Sequence, residues 1–166
     1  MNGFAKMIAT FFGVGNLTPA PGTWGSFVAL PVLYALHSLG GFPLVLVATL
    51  AVTLLGIRAI SRYLETSASK DPSEVVIDEV AGQFIALWPV SLGATMMGAD
   101  VTALWPGWLV AFLAFRLFDI WKPGPVGWAD RRGDALGVML DDLIAGAMAA
   151  VVVIIAAGAA HGLMMR

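Results

Sequence analysis

The sequence predicts an all-α, polytopic membrane helix bundle of about five spanning helices, preceded by an N-terminal interfacial or buried segment. Three observations carry this. Hydrophobic residues make up 59% of the 166 and charged residues only 12%, against about 45–50% and about 25% in an average soluble domain. Mean hydropathy is +0.87. The charges, 9 Lys+Arg and 11 Asp+Glu, are clustered: none falls between Lys6 and Arg58, Glu79 and Asp100, Asp100 and Arg116, or Asp142 and Arg166. The length suits one domain over residues 1–166. A net charge of −2 offers no broad basic field for nucleic acid. With no cysteine there is no disulfide framework, thiolate metal site or cysteine nucleophile.

Each element follows from the charge gaps and the breakers within them. Met1 to Phe12 holds one charge and is too short to span, so it reads as an interfacial or buried helix. Lys6 before an apolar stretch resembles a signal peptide, but Pro19, Pro21 and Gly22 follow and no small-x-small cleavage pattern does. Gly13 to Ser26, rich in Gly and Pro, reads as irregular, shaped backbone. Thr23 stands where it would cap the first spanning helix beside free N–H groups, as an anion nest or as a plain turn. A spanning helix needs about 20 apolar residues to cross about 30 Å. The run after Lys6 is too long for one, and Gly40-Gly41-Phe42-Pro43 divides it into helices at roughly 24–39 and 43–61. A third is expected at about 77–97 and a fourth at about 102–121. The fifth starts near Leu136 and continues through Leu143–Met165, a run that meets the length requirement alone. The polar stretches Tyr63–Val76 and Pro123–Gly133 are loops.

Five spans with a cytoplasmic N-terminus put Lys6, Arg58, Arg62, Lys70, Lys122, Arg131 and Arg132 on the cytoplasmic side. Arg116 is nearer that end of its helix, and only Arg166 is left outside. This arrangement brings three acidic clusters to one membrane face. Asp78-Glu79 open the third helix, Asp119 lies between Arg116 and Lys122 at the close of the fourth, and Asp141-Asp142 begin the long final run. Acids at a helix start also complement its macrodipole, and Arg116 with Asp119 can pair within one turn. Neither alternative accounts for convergence on one face. Five carboxylates held together repel one another unless protonated or bridged by cations, and a hard divalent ion such as Mg²⁺, which takes carboxylates together with substrate phosphate, answers that need. Arg116 and Lys122 are then placed to hold a phosphate. His37 and His161 have no ligand-spaced partner, and the 6 tryptophans read as interface anchors.

Four blocks together, Gly13–Ser26, Asp78–Gln83, Phe115–Pro123 and Gly137–Gly146, resemble bacterial phosphatidylglycerophosphatase A, in the family's order and without departure at the charged positions. The resemblance implies an all-helical, multi-pass enzyme of the bacterial inner membrane with a cytoplasm-facing site. It implies Mg²⁺-dependent removal of the terminal phosphate from phosphatidylglycerophosphate, yielding phosphatidylglycerol in phospholipid biosynthesis. Without a cysteine, the remaining routes are a carboxylate-held metal that activates water or an aspartyl nucleophile. Asp78, Glu79, Asp119, Asp141 and Asp142 are expected as metal ligands or catalytic base, with Arg116, Lys122 and Thr23 on the substrate phosphate. A small cation or proton transporter would place its acids nearer mid-membrane and show two repeated halves. A non-catalytic membrane subunit would leave the convergent acids unexplained.

Overall fold

The computed structural model describes residues 3–69 and 72–164, so Lys70 and Arg166 lie outside the described residues. The chain begins with α1 (Gly3–Ala9), whose Ala5 and Ala9 face inward at helical spacing. Ala9 accepts a hydrogen bond at 2.9 Å from Val76 N–H, which ties α1 to the segment before the third spanning region. The expected interfacial or buried N-terminal segment is therefore a short helix, buried only at Ala5 and Ala9 and exposed at Phe4 and Met7. A short 3₁₀ turn, Val14–Asn16, follows.

Helix α2 (Pro21–Leu64) spans 44 residues and breaks at Gly40 and Gly41, where Gly41 takes φ +61°. Its arms, 21–39 and 42–64, each reach roughly 30 Å at about 1.5 Å per residue. Both press on the segment that opens the next helix. A Cβ on Gly25 would stand 2.9 Å from Val76 Cβ, and one on Gly56 3.3 Å from Ile77 Cγ1. The arms therefore return to the same end as a hairpin. The break itself packs on Thr95, whose Oγ1 accepts from Phe42 N–H at 3.0 Å.

The third region was expected as one helix. It forms α3 (Ile77–Ala86) and α4 (Trp88–Met97), bent by 42° at Leu87. Pro89, near the start of α4, supplies the cause, since proline removes one backbone donor and clashes with the preceding turn. Helix α5 (Trp105–Trp121) follows a 3₁₀ turn that Asp100 caps by accepting from Thr102 N–H. A six-residue helix, α6 (Pro125–Asp130), occupies what reads in sequence as plain loop. Helix α7 (Ala135–Met164) ends the described chain.

By length and composition, Pro21–Leu64, Val101–Trp121 and Ala135–His161 qualify as membrane spans, and α3 with α4 makes a fourth, bent one. Dividing the first at its break gives the five segments expected. Their outer faces fit lipid rather than water: Leu54, Leu113 and Ile155 are more than half exposed on long apolar helices. The core between them is dominated by Leu33, Val45, Phe84, Leu87 and Phe115, with a second cluster around Ile60, Ile77 and Met139.

Candidate active site

The acidic end of the bundle is assembled by a close helix crossing. A Cβ on Gly146 would stand 2.2 Å from Gly82 carbonyl oxygen, and one on Gly82 would stand 2.5 Å from Asp142 carbonyl oxygen. No side chain fits there, so α3 and α7 touch backbone to backbone. Gly82 lies one turn after Asp78, and Gly146 one turn after Asp142. The crossing thus holds two acidic pairs against each other. Helix α5 closes the third side, with Phe115 wedged on Gly82 and Asp119 one turn further on.

The result is a cavity of about 610 Å³ whose lining includes all five expected carboxylates, with Arg116 and Lys122. The acids fall into two groups. Asp119 pairs with Arg116 at 2.5 Å. Asp141 pairs with Lys122 at 2.8 Å, and Lys122 also donates to Asp130. Asp78, Glu79 and Asp142 have no ion pair among the described residues, yet they bring one carboxylate oxygen each within 4.8 Å of one another. Asp78 and Asp142 are buried, and Glu79 Oε2 and Asp142 Oδ1 have no hydrogen-bond partner. Burying unpaired acceptors of one charge costs several kcal/mol, so this arrangement is the one most in need of a cation. The donor set is all oxygen, which suits a hard divalent ion.

The two bases are held in place by their partners. Arg116 also donates to the fully buried Ser26 Oγ at 3.3 Å, and its Nε has no partner. Lys122 closes α5 in the left-handed conformation, φ +50°, which turns its side chain toward α6 and α7. Burial alone would lower the Lys122 ammonium, but donation to Asp130 and Asp141 outweighs it and holds the group above the usual lysine range. It is therefore charged when substrate arrives.

Thr23 departs from its expected position. Ala20, with φ +60°, takes the N-cap of α2 and Pro21 the first helical position, so Thr23 already lies within the first turn. Its neighbour Gly22, not Thr23, lines the cavity. Proline at the first position is the physical reason, since its fixed φ starts the helix three residues early. Sequence reasoning also missed Asp130, Arg131 and Arg132, which line the cavity from α6 and the turn after it. The only signal was the density of charge in a stretch read as loop.

Gly22 gives a test of this geometry. A Cβ there would lie 2.1 Å from Glu79 Oε1, a movable side-chain end, so the helix tolerates alanine while the carboxylate is displaced. Gly22→Ala is expected to leave the melting temperature within a few degrees of wild type and to lower kcat about tenfold or more, because small misplacements of reacting groups are costly. Thermal melts alongside turnover would check both halves.

Comparison with known proteins points the same way. Residues 7–157 match the family profile of phosphatidylglycerophosphatase A. The chain is 34% identical over 148 residues to phosphatidylglycerophosphatase A of Haemophilus influenzae, covering 89% of this chain and 85% of that protein. It is 32% identical over 145 residues to phosphatidylglycerophosphatase A of Escherichia coli, covering 87% and 78%. A protein of Bacteroides thetaiotaomicron, named as a candidate phosphatidylinositol-3-phosphatase, is 34% identical over 155 residues, covering 90% and 91%. No solved structure matches the chain.

Proposed function

The chain belongs to the phosphatidylglycerophosphatase A family, and from that premise we propose that it hydrolyses the terminal phosphomonoester of phosphatidylglycerophosphate, releasing phosphate and phosphatidylglycerol for phospholipid biosynthesis. The observation that carries the proposal is the division of the acids. Three carboxylates with no ion pair among the described residues bring one oxygen each within 4.8 Å of one another, inside a cavity that also presents a guanidinium and an ammonium.

In this reading Asp78, Glu79 and Asp142 hold Mg²⁺, and the orphaned oxygens of Glu79 and Asp142 support that fit. Bound there, Mg²⁺ would supply positive charge that offsets the carboxylates and Lewis acidity toward a phosphoryl oxygen. The rest belongs to the chain. Arg116 and Lys122 bind the non-bridging phosphate oxygens, Arg116 oriented by Asp119 and Ser26, Lys122 by Asp130 and Asp141. Their positive charge stabilises the phosphoryl group as it transfers, the main requirement for so slow a reaction. Asp119 and Asp141 sit against these bases and are placed to take the proton from the attacking water. A transporter reading is disfavoured because the acids stand in the first turn of α3, the last turn of α5 and the second turn of the long α7, not at mid-bundle.

The test compares substrates. Purified protein in detergent micelles with Mg²⁺ is expected to release phosphate from phosphatidylglycerophosphate with kcat/KM well above that for phosphatidylinositol 3-phosphate, the substrate class named for the Bacteroides relative. The reverse preference would move the assignment to phosphoinositides.

We place the protein in the bacterial inner membrane with the cavity facing the cytoplasm. Lys6, Arg58, Arg62, Lys122, Arg131 and Arg132 all belong to that end of the bundle, as the positive-inside rule requires. Single cysteines at the exposed positions Ala68 and Ala99 of this cysteine-free chain check it. In intact cells an impermeant maleimide should label Ala99→Cys and spare Ala68→Cys.

A further inference from the structure

Four basic side chains line the cavity, Arg116, Lys122, Arg131 and Arg132, and one of them is uncommitted among the described residues. Arg116 is engaged by Asp119, Lys122 by Asp130 and Asp141, and Arg132 by Asp134 at 3.1 Å. Arg131 lines the same cavity, is exposed, and has no hydrogen bond or ion pair from its guanidinium among the described residues. It is nevertheless fixed in place, since it caps α6 with its backbone N–H donating to Gly127 at 3.3 Å.

The position of Arg131 matters as much as its freedom. The unpaired acids, with Asp78 and Asp142 at most 5% exposed, form the floor, where the phosphate to be cleaved must sit. Arg131 stands at the mouth. Ile120, 70% exposed, lines the cavity; Trp121, next to it on α5, and Trp128, three residues before Arg131 on α6, are also exposed. Such an apolar, aromatic rim is where a lipid's acyl chains leave for the bilayer. A substrate with its monoester on the floor and its chains crossing this rim carries its second anionic group, the phosphodiester, between the two.

We propose that Arg131 binds the phosphodiester of the lipid substrate and so selects lipids that carry a diester between the acyl chains and the scissile phosphate. A guanidinium suits this role, because it offers a planar fork of donors to two phosphate oxygens and stays charged. The inference rests on the lipid phosphatase reading above and adds a specificity residue to the same site.

The two reaction products separate the subsites. Phosphatidylglycerol retains the diester and lacks the monoester, whereas inorganic phosphate occupies only the floor. With purified Arg131→Gln in mixed micelles, KM for phosphatidylglycerophosphate and the inhibition constant of phosphatidylglycerol should rise together by roughly ten- to hundredfold, the range for losing a charge-assisted hydrogen bond. The inhibition constant of inorganic phosphate and kcat should stay near wild type, and Arg62→Gln should change none of them. Arg131→Lys, which keeps the charge, should recover part of the loss, and it keeps the experiment readable if the glutamine variant misfolds. Equal shifts in both inhibition constants, or in neither, would overturn the proposal. Wild-type protein inert toward phosphatidylglycerophosphate would instead overturn the function on which it rests.

Discussion

Asp142→Asn is expected to lower kcat for phosphate release by about 10²–10³-fold, the scale set by removing one preorganised electrostatic contact from an active site. Asparagine keeps the shape of the side chain and its place beside the Gly82–Gly146 crossing, so the fold should persist. What disappears is one of three clustered charges that have no ion pair among the described residues. The same substitution carries a second, opposite expectation. In chelator, three neighbouring carboxylates repel one another in a buried site, so neutralising one should raise the melting temperature of the metal-free protein above that of wild type. A variant less active but more stable is the mark of a site built for a cation. An Asp142→Asn protein that loses both activity and stability would assign the residue to structure.

Lys122→Ala should act differently. Under the proposed function its ammonium meets phosphate in the ground state and in the transition state, so KM should rise and kcat should fall, with kcat/KM down by about 10²-fold. Removing it also leaves Asp130 and Asp141 without their shared cation, so some stability should be lost as well. Arg62→Ala is the control: Arg62 is exposed, pairs among the described residues only with Glu65 and lies off the cavity, so its kinetics should match wild type. Steady-state kinetics on the three proteins should give the order of sensitivity Asp142, then Lys122, both far above Arg62. If Arg62→Ala were the most damaging, the site would have to be rebuilt around other residues.

Much of this was legible in the sequence, because the membrane imposes a simple rule. Charges are excluded from about 20-residue stretches, so the gaps after Lys6, Glu79, Asp100 and Asp142 outline the helices, and Gly40-Gly41 marks the hairpin between the arms of α2. Convergence of the acids followed from topology alone, and all five line one cavity. Three features were not legible. Pro89 was visible, but whether a proline bends a span depends on what packs around it. Helix α6, at six residues, is too short for periodicity to reveal, and with it went Asp130 and Arg131. The partition of the acids depends on which base each helix face meets, and adjacent pairs such as Asp78-Glu79 or Asp141-Asp142 carry no trace of it in one dimension. Gly82 and Gly146 likewise look like any glycine in an apolar run until the two backbones are seen to touch.

Turnover under the proposed function depends most on a cation held by Asp78, Glu79 and Asp142. Phosphate release from phosphatidylglycerophosphate by the purified wild-type protein, measured first in excess EDTA and then with Mg²⁺ restored, tests it directly. The account predicts no turnover in chelator and full recovery on adding Mg²⁺; undiminished turnover in EDTA would contradict it.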